Sequence, residues 1–226
     1  MLSIEELLIA ELDDDDPHVS RASQPHASAS MALSCARQIG YKVAKVPTEN
    51  ALTLKSHLAF FIGKRIHLKL QAAFAKRYGD FEPETYWDRG AVIGYADGLY
   101  TSEEGIKTVL EAKTMSTKGY EWAADHGPKD EHVMQATLSA LALGATEIHM
   151  VYIAKADLDA PLKEWVLFAD LASATREEQR MQHIVSRVVA GQPLPRRANG
   201  TALDPKTTKW PCAWCDYRQR CIAEGV

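Results

Sequence analysis

The chain is poor in cysteine and has no long apolar run. Cys35, Cys212, Cys215 and Cys221 are the only cysteines in 226 residues, a complement that makes one complete site for a soft metal centre. No hydrophobic stretch approaches the roughly 20 residues that span a bilayer, which excludes a membrane helix. The first sixteen residues hold no Lys or Arg, so the basic start of a secretory signal is missing. These absences predict a cytoplasmic protein without a membrane partner. In a reducing compartment four thiolates suit a soft metal centre better than disulfides. Three of them form a Cys212-x-x-Cys215-x5-Cys221 group, and Cys35 stands alone near the other end.

A hydrophobic content of 46% permits a sizeable core, and the net charge of -4 is unevenly spread. Glu5, Glu6, Glu11 and Asp13 to Asp16 make the first sixteen residues acidic, so the rest of the chain is net positive. Between residues 196 and 221 six cations face two anions. Such a basic tail permits phosphate contact without requiring it. Residues 1–28 read as an acidic N-terminal helix and linker, and residues 29–226 as a single domain.

Helical spacing covers residues 2–11, and Asp13 to Ser28 reads as a polar linker. Ser30 to Lys45 forms a helix that carries Cys35 and stops before Pro47. A long helix over residues 50–77 follows, with apolar positions three and four apart. The period then changes to two. FEPETYWDR, AVIGYADGLY and IKTVLEAKT read as strands, the last two joined by TSEEG. Lys129 to Leu143 is a helix closed by Gly144, EIHMVYIAK and KEWVLFADL are further strands, and Thr175 to Val189 is a last helix with TREE as its capping box. This order predicts an α/β fold.

In a strand, residues two apart share a face, so Glu111 and Lys113 of Glu-Ala-Lys point the same way. Asp97, in Gly94-Tyr-Ala-Asp97-Gly98 on the preceding strand, lies beside Glu111 if the register allows. Two carboxylates with a lysine can hold Mg2+ or Mn2+ and activate water for attack on a phosphodiester. An exposed strand salt bridge is the plain alternative for Glu111 and Lys113.

Asp97, Glu111-x-Lys113, the helix with Gly63-Lys-Arg-Ile-His67 and the split cysteine set resemble the RecB-like branch of the PD-(D/E)XK nuclease superfamily. The similarity is greatest to the CRISPR-associated Cas-four family of iron-sulfur exonucleases and its phage-encoded relatives, over about Ser34 to Cys221. The resemblance implies a restriction-endonuclease-like core, a central mixed β-sheet flanked by helices, with the N- and C-terminal segments joined by an iron-sulfur cluster. It implies that His67, Asp97, Glu111 and the carbonyl of Ala112 bind the catalytic cation, and that Lys113 activates water. It further implies that Cys35, Cys212, Cys215 and Cys221 ligate a [4Fe-4S] cluster, structural zinc being the other filling for four cysteines. The family's later helix carries Gln followed four residues on by Tyr; here Gln135 is followed by Ser139, so Gln135 is retained as a site residue and the tyrosine is missing.

Arg37, Tyr41 and Lys42 after Cys35 are candidate DNA contacts, since aromatics stack on unpaired bases while cations neutralise phosphates. Trp210, Trp214 and Tyr217 are interleaved with Lys209, Arg218 and Arg220 in the tail; shielding of the cluster is the alternative for Trp214 and Tyr217. The expected activity is a Mg2+- or Mn2+-dependent DNA exonuclease acting on single-stranded ends in a prokaryotic cell or phage-infected host. Homo-oligomers or proteins of recombination and CRISPR adaptation are its candidate partners. A non-catalytic DNA-binding module and a zinc-stapled interaction protein are the rival readings.

Overall fold

The computed structural model describes residues 25–50, 53–155, 162–194 and 212–224, together with Ile4, Leu8, Leu12 and Asp159. Its elements run β1 (Ala27–Ser28), a 3-10 turn (Ala29–Met31), α1 (Ala36–Val43), α2 (Leu54–Arg77), β2 (Glu82–Asp88), β3 (Val92–Thr101) and β4 (Lys107–Met115). There follow α3 (Thr117–His126), α4 (Asp130–Leu143), β5 (Glu147–Ala154), β6 (Lys163–Phe168), α5 (Leu171–Val189), a second 3-10 turn (Cys212–Trp214) and α6 (Arg218–Ala223). Among the described residues no helix is long and apolar enough to cross a membrane.

One mixed sheet holds all six strands in the order β1-β3-β4-β5-β6, with β2 paired to β3. The β3–β4 and β5–β6 pairs are antiparallel, whereas β4 and β5 run parallel and are joined through α3 and α4. A parallel pair needs such a crossover, and the crossover covers the sheet. On one face Leu99, Val109, Ile148 and Met150 pack with Ala136 and Ala140 of α4. On the other, Tyr100, Leu110, Ala112 and Val151 meet Leu70 and Phe74 of α2. Burial on both faces explains why β4 reads as an almost continuous run of inward residues. The expected α/β core, a mixed sheet flanked by helices, is the observed one.

Local differences from the sequence reading have physical causes. Ala27 and Ser28, placed in the linker, form β1 beside Val92 and Ile93. The helix expected over residues 30–45 starts late: Leu33 takes φ 59°, which a helix cannot contain, and Cys35 becomes the N-cap of α1. The TREE box is not used. Asp170 caps α5 by accepting the Ser173 N–H at 3.0 Å, Thr175 donates to the Leu171 carbonyl at 2.8 Å, and Glu178 pairs with Arg89. Helix α3 escaped the sequence reading because it is short and holds Gly119; the Ser116 hydroxyl caps it by accepting the Gly119 N–H at 3.3 Å. Of the expected N-terminal helix, Ile4, Leu8 and Leu12 are helical, and its other positions, like most of the linker, lie outside the described residues.

Candidate active site

β3 and β4 pair only from Gly98↔Leu110 to Thr101↔Lys107. Beyond Gly98 and Leu110 the strands part, and the next residues in register are Asp97 and Glu111. They face each other across the mouth of a fork. Phe81 helps set this point: a Cβ on Gly98 would come within 2.3 Å of its ring, so only glycine admits that ring.

Each side chain at the fork has a distinct environment. Asp97 Oδ2 accepts the backbone N–H of Ala112 at 2.7 Å, and its Oδ1 lies 3.4 Å from His67 Nδ1. The N–H and C=O of one strand residue point to the same side, so the Ala112 carbonyl also faces the open edge. Gln71, one helical turn after His67, donates to the Asp97 carbonyl at 2.9 Å. α2 can lie this close to β4 because residue 63 is glycine: a Cβ there would meet the Thr114 hydroxyl at 2.9 Å.

Glu111 is fully buried. It forms an ion pair with Lys113, yet neither of its carboxylate oxygens has a properly formed hydrogen bond. Burial outweighs the lysine and, with the Asp97 charge adding to it, pushes the Glu111 carboxyl up to about 7. Burial also works against charge on Asp97, but His67, Lys113 and the Ala112 N–H hold it below the usual carboxylate range. Against the same desolvation, Asp97 raises His67 and Glu111 raises Lys113. Lys113 Nζ also donates to Gln135 Oε1 at 3.1 Å, so Gln135 of α4 reaches the fork. Ser139, where the family tyrosine would stand, is buried and accepts Trp87 Nε1–H at 3.0 Å. That position belongs to the core.

The four cysteines are brought near one another from both ends of the chain. All are unbridged. Burial raises the Cys215 thiol, and Cys35, Cys221 and Cys212 add to the rise. Burial also raises Cys221, with Arg37 opposing and Cys35 and Cys212 reinforcing. Among the described residues no group of three or more His, Cys, Asp or Glu side chains is disposed to hold a metal ion as it stands. At the fork, Lys113 and His67 occupy the carboxylates instead.

Arg37 and Tyr41 are turned inward. Both are buried. Arg37 pairs with Glu224, Tyr41 donates to the same carboxylate at 2.6 Å, and the Tyr41 ring lies 5.2 Å from that of Tyr217. These two candidate DNA contacts thus form a clasp between α1 and the C-terminal segment, while Lys42 is exposed. The side chain of Trp214 and residues 195–211, with Trp210, lie outside the described residues.

Three polar residues near the fork were missed in the sequence: Gln71, His132 and Tyr152. Their signal was helical spacing, Gln71 four residues after His67 and His132 three before Gln135. Tyr152 looked like one more apolar strand residue.

Residues 10–222 match the family model described as the PD-(D/E)XK nuclease superfamily. No curated protein matches the chain. Among solved structures, the crystal structure of SSO0001 is similar at 19% identity and TM-score 0.58, over 97% of this chain and 96% of that one. The alkaline exonuclease LHK-Exo from Laribacter hongkongensis is similar at 14% identity and TM-score 0.56, over 74% of this chain and 89% of that one. Its complex with dAMP gives 16% identity with the same TM-score of 0.56 and the same 74% and 89% coverage. At these identities the likeness is one of fold.

Proposed function

The chain belongs to the PD-(D/E)XK nuclease superfamily, and from that premise we propose that it is a divalent-cation-dependent DNA exonuclease acting on single-stranded ends. The observation that carries this reading is the fork itself, which sets the buried Glu111, paired with Lys113, across the opened ladder from Asp97. Two carboxylates drawn together out of water are costly unless cations offset them. With His67, Asp97 and the Ala112 carbonyl around Glu111, the donor set is hard oxygen plus one imidazole, which fits Mn2+ or Mg2+. When bound, such a cation draws charge off the phosphate and lowers the pKa of water.

The chain's own groups do the rest. The buried Glu111 and Gln135 hold Lys113 Nζ between them, and an ammonium fixed there orients the attacking water and faces the negative charge of the phosphate. Asp97 keeps His67 in place, and Gln71 anchors the Asp97 backbone. Single-strand preference is read from the family resemblance, and DNA as substrate is supported by the superfamily.

For the second metal site, Cys35, Cys212, Cys215 and Cys221 form an all-thiolate donor set within electrostatic reach of one another. That chemistry suits a [4Fe-4S] cluster serving as a staple between α1 and the C-terminal segment. The split cysteine pattern also supports kinship with the Cas-four branch and a role in CRISPR adaptation or phage recombination.

The test is degradation of end-labelled single- and double-stranded DNA by anaerobically purified protein with Mn2+, Lys113→Ala alongside. Mn2+-dependent cutting by the wild type, lowered at least about 100-fold in the variant, is expected for loss of a group acting in the transition state. Equal cutting by both proteins would remove Lys113 from the mechanism.

A further inference from the structure

Two polar residues flank the proposed water-orienting lysine and take no part in the reading above, on which this inference rests. Tyr152 of β5 is buried and stands directly across from Lys113 of β4 in their parallel register. His132, in the first turn of α4, precedes Gln135 by three residues, so the two project from one helix face. Gln135 is the acceptor for Lys113 Nζ. His132 and Tyr152 are joined: the imidazole Nδ1 lies 2.5 Å from the phenol oxygen, and the rings meet edge to face at 75°. The same phenol oxygen accepts the backbone N–H of Lys129 at 3.0 Å.

This chain of hydrogen bonds fixes the protons. A phenol has one proton, and a backbone N–H can only donate. The Lys129 N–H donates to the Tyr152 oxygen, and among the described residues the only acceptor for the phenol's own proton is His132 Nδ1, so Tyr152 donates there. An imidazole that accepts at Nδ1 is neutral and carries its proton on Nε2. The surroundings hold it so: burial, then the charges of Lys113 and Lys129, push His132 down to about 4. Its place in the first helical turn adds the positive end of the helix dipole. Burial also raises the Tyr152 phenol to about 12, which keeps its proton in place. No described residue accepts from Nε2, and Nε2 is not among the polar atoms sealed from solvent. The result is an oriented, uncharged donor on the cleft side of α4, beside a lysine.

We infer that His132 is a substrate-contacting residue: its Nε2–H donates to a non-bridging oxygen of a DNA phosphate next to Lys113, and Tyr152 positions it by fixing the tautomer. An uncharged donor is what this place accommodates, because another cation would repel Lys113. It also gives the contact a signature, since a neutral donor adds affinity without releasing a counterion.

The test uses the full-length protein and a fluorescent single-stranded oligonucleotide. Binding is followed by anisotropy in Ca2+ between roughly 50 and 200 mM salt, and steady-state degradation is followed in Mn2+. His132→Ala should weaken binding and raise KM on the order of tenfold and leave the slope of log affinity against log salt unchanged. His132→Gln, which keeps an N–H donor at similar reach, should recover most of the loss. Tyr152→Phe should fall between the two, because Nδ1 loses its donor and both tautomers populate. Kd and KM for His132→Ala within about twofold of wild type, or a His132→Gln variant that folds like wild type and binds no better than His132→Ala, would overturn the inference. So would a salt slope shallower by about 0.7, which marks a lost charged contact. Should the wild type bind DNA without cutting it, the nuclease reading fails while the binding arm still decides His132. Should Lys113→Ala abolish cutting while His132→Ala binds and cuts as wild type, the His132 assignment alone falls. Wild-type protein that neither binds nor cuts overturns both.

Discussion

Glu111 is the residue on which the proposed chemistry turns, and its environment has a measurable consequence. Its carboxyl sits at about 7 in the folded chain against an ordinary 4.5. A folded-state pKa raised in this way contributes stability that is fully present below about pH 4.5 and lost as pH rises toward 7. A divalent cation works in the opposite sense, because it must displace the proton from Glu111. His67, raised by Asp97, holds a competing proton over the same side of the titration. Stabilisation by Mn2+ should therefore be small at pH 6 and should grow by pH 8, read as the melting-temperature difference with and without the ion. In Glu111→Gln most of that pH dependence should vanish. An equal Mn2+ shift at both pH values in the wild type would contradict the assignment of Glu111 as a cation ligand.

Among the secondary-structure elements, two joints matter. One is the fork of β3 and β4, which α2 closes from one side with His67 and Gln71 and α4 from the other with Gln135. The second is the clasp of α1 on α6 through Arg37, Tyr41 and Glu224. Arg37 is 7% exposed and has Glu224 as its carboxylate partner. Arg220 adds a contact to the same carboxylate at 3.0 Å and stacks on Tyr41. Removing one partner of a buried charge costs more than the pair contributes. Glu224→Ala should lower unfolding stability by about 1–3 kcal/mol, at the lower end because the Glu224 side chain is 37% exposed. Denaturant unfolding gives the value directly, and an unchanged midpoint would show the clasp to be without weight. The single-strand cutting rate, measured below the melting transition, should change little.

At the scale of the molecule, α1 and the 212–224 segment are held near each other by side chains far apart in sequence. The proposed cluster adds covalent ties across that joint, and closing so long a loop removes on the order of 4 to 5 kcal/mol of unfolded-chain entropy in the simplest model. Oxidative loss of the cluster, followed by its visible absorbance, should expose the 212–224 segment to protease while the sheet core resists. Tyr217, 2% exposed in the folded chain, is the residue to watch in the digest. Cleavage that does not change as the absorbance disappears would remove the staple role.

What the sequence determined by itself was whatever has a local cause. Period-two alternation marked β3, β4, β5 and β6, apolar spacing and Gly144 bounded α4, and Glu111-Ala-Lys113 put a carboxylate and an amine on one strand face. Four cysteines, three of them in one Cys-x-x-Cys-x5-Cys group, were enough to suggest a metal. Only the tertiary structure decided the rest. The fork that sets Asp97 opposite Glu111 comes from strand register, which depends on the turn geometry and on which face is buried and which alternation alone leaves open. Ser139, where the family tyrosine is missing, is a core residue because Trp87, 52 residues away, donates to its hydroxyl. Arg37 and Tyr41 read as candidate nucleic-acid contacts in sequence, and only the fold shows them joined to Glu224. His132 and Tyr152 are unremarkable in sequence; parallel pairing of β4 with β5 sets them beside Lys113, where burial and the Lys129 N–H define their protons.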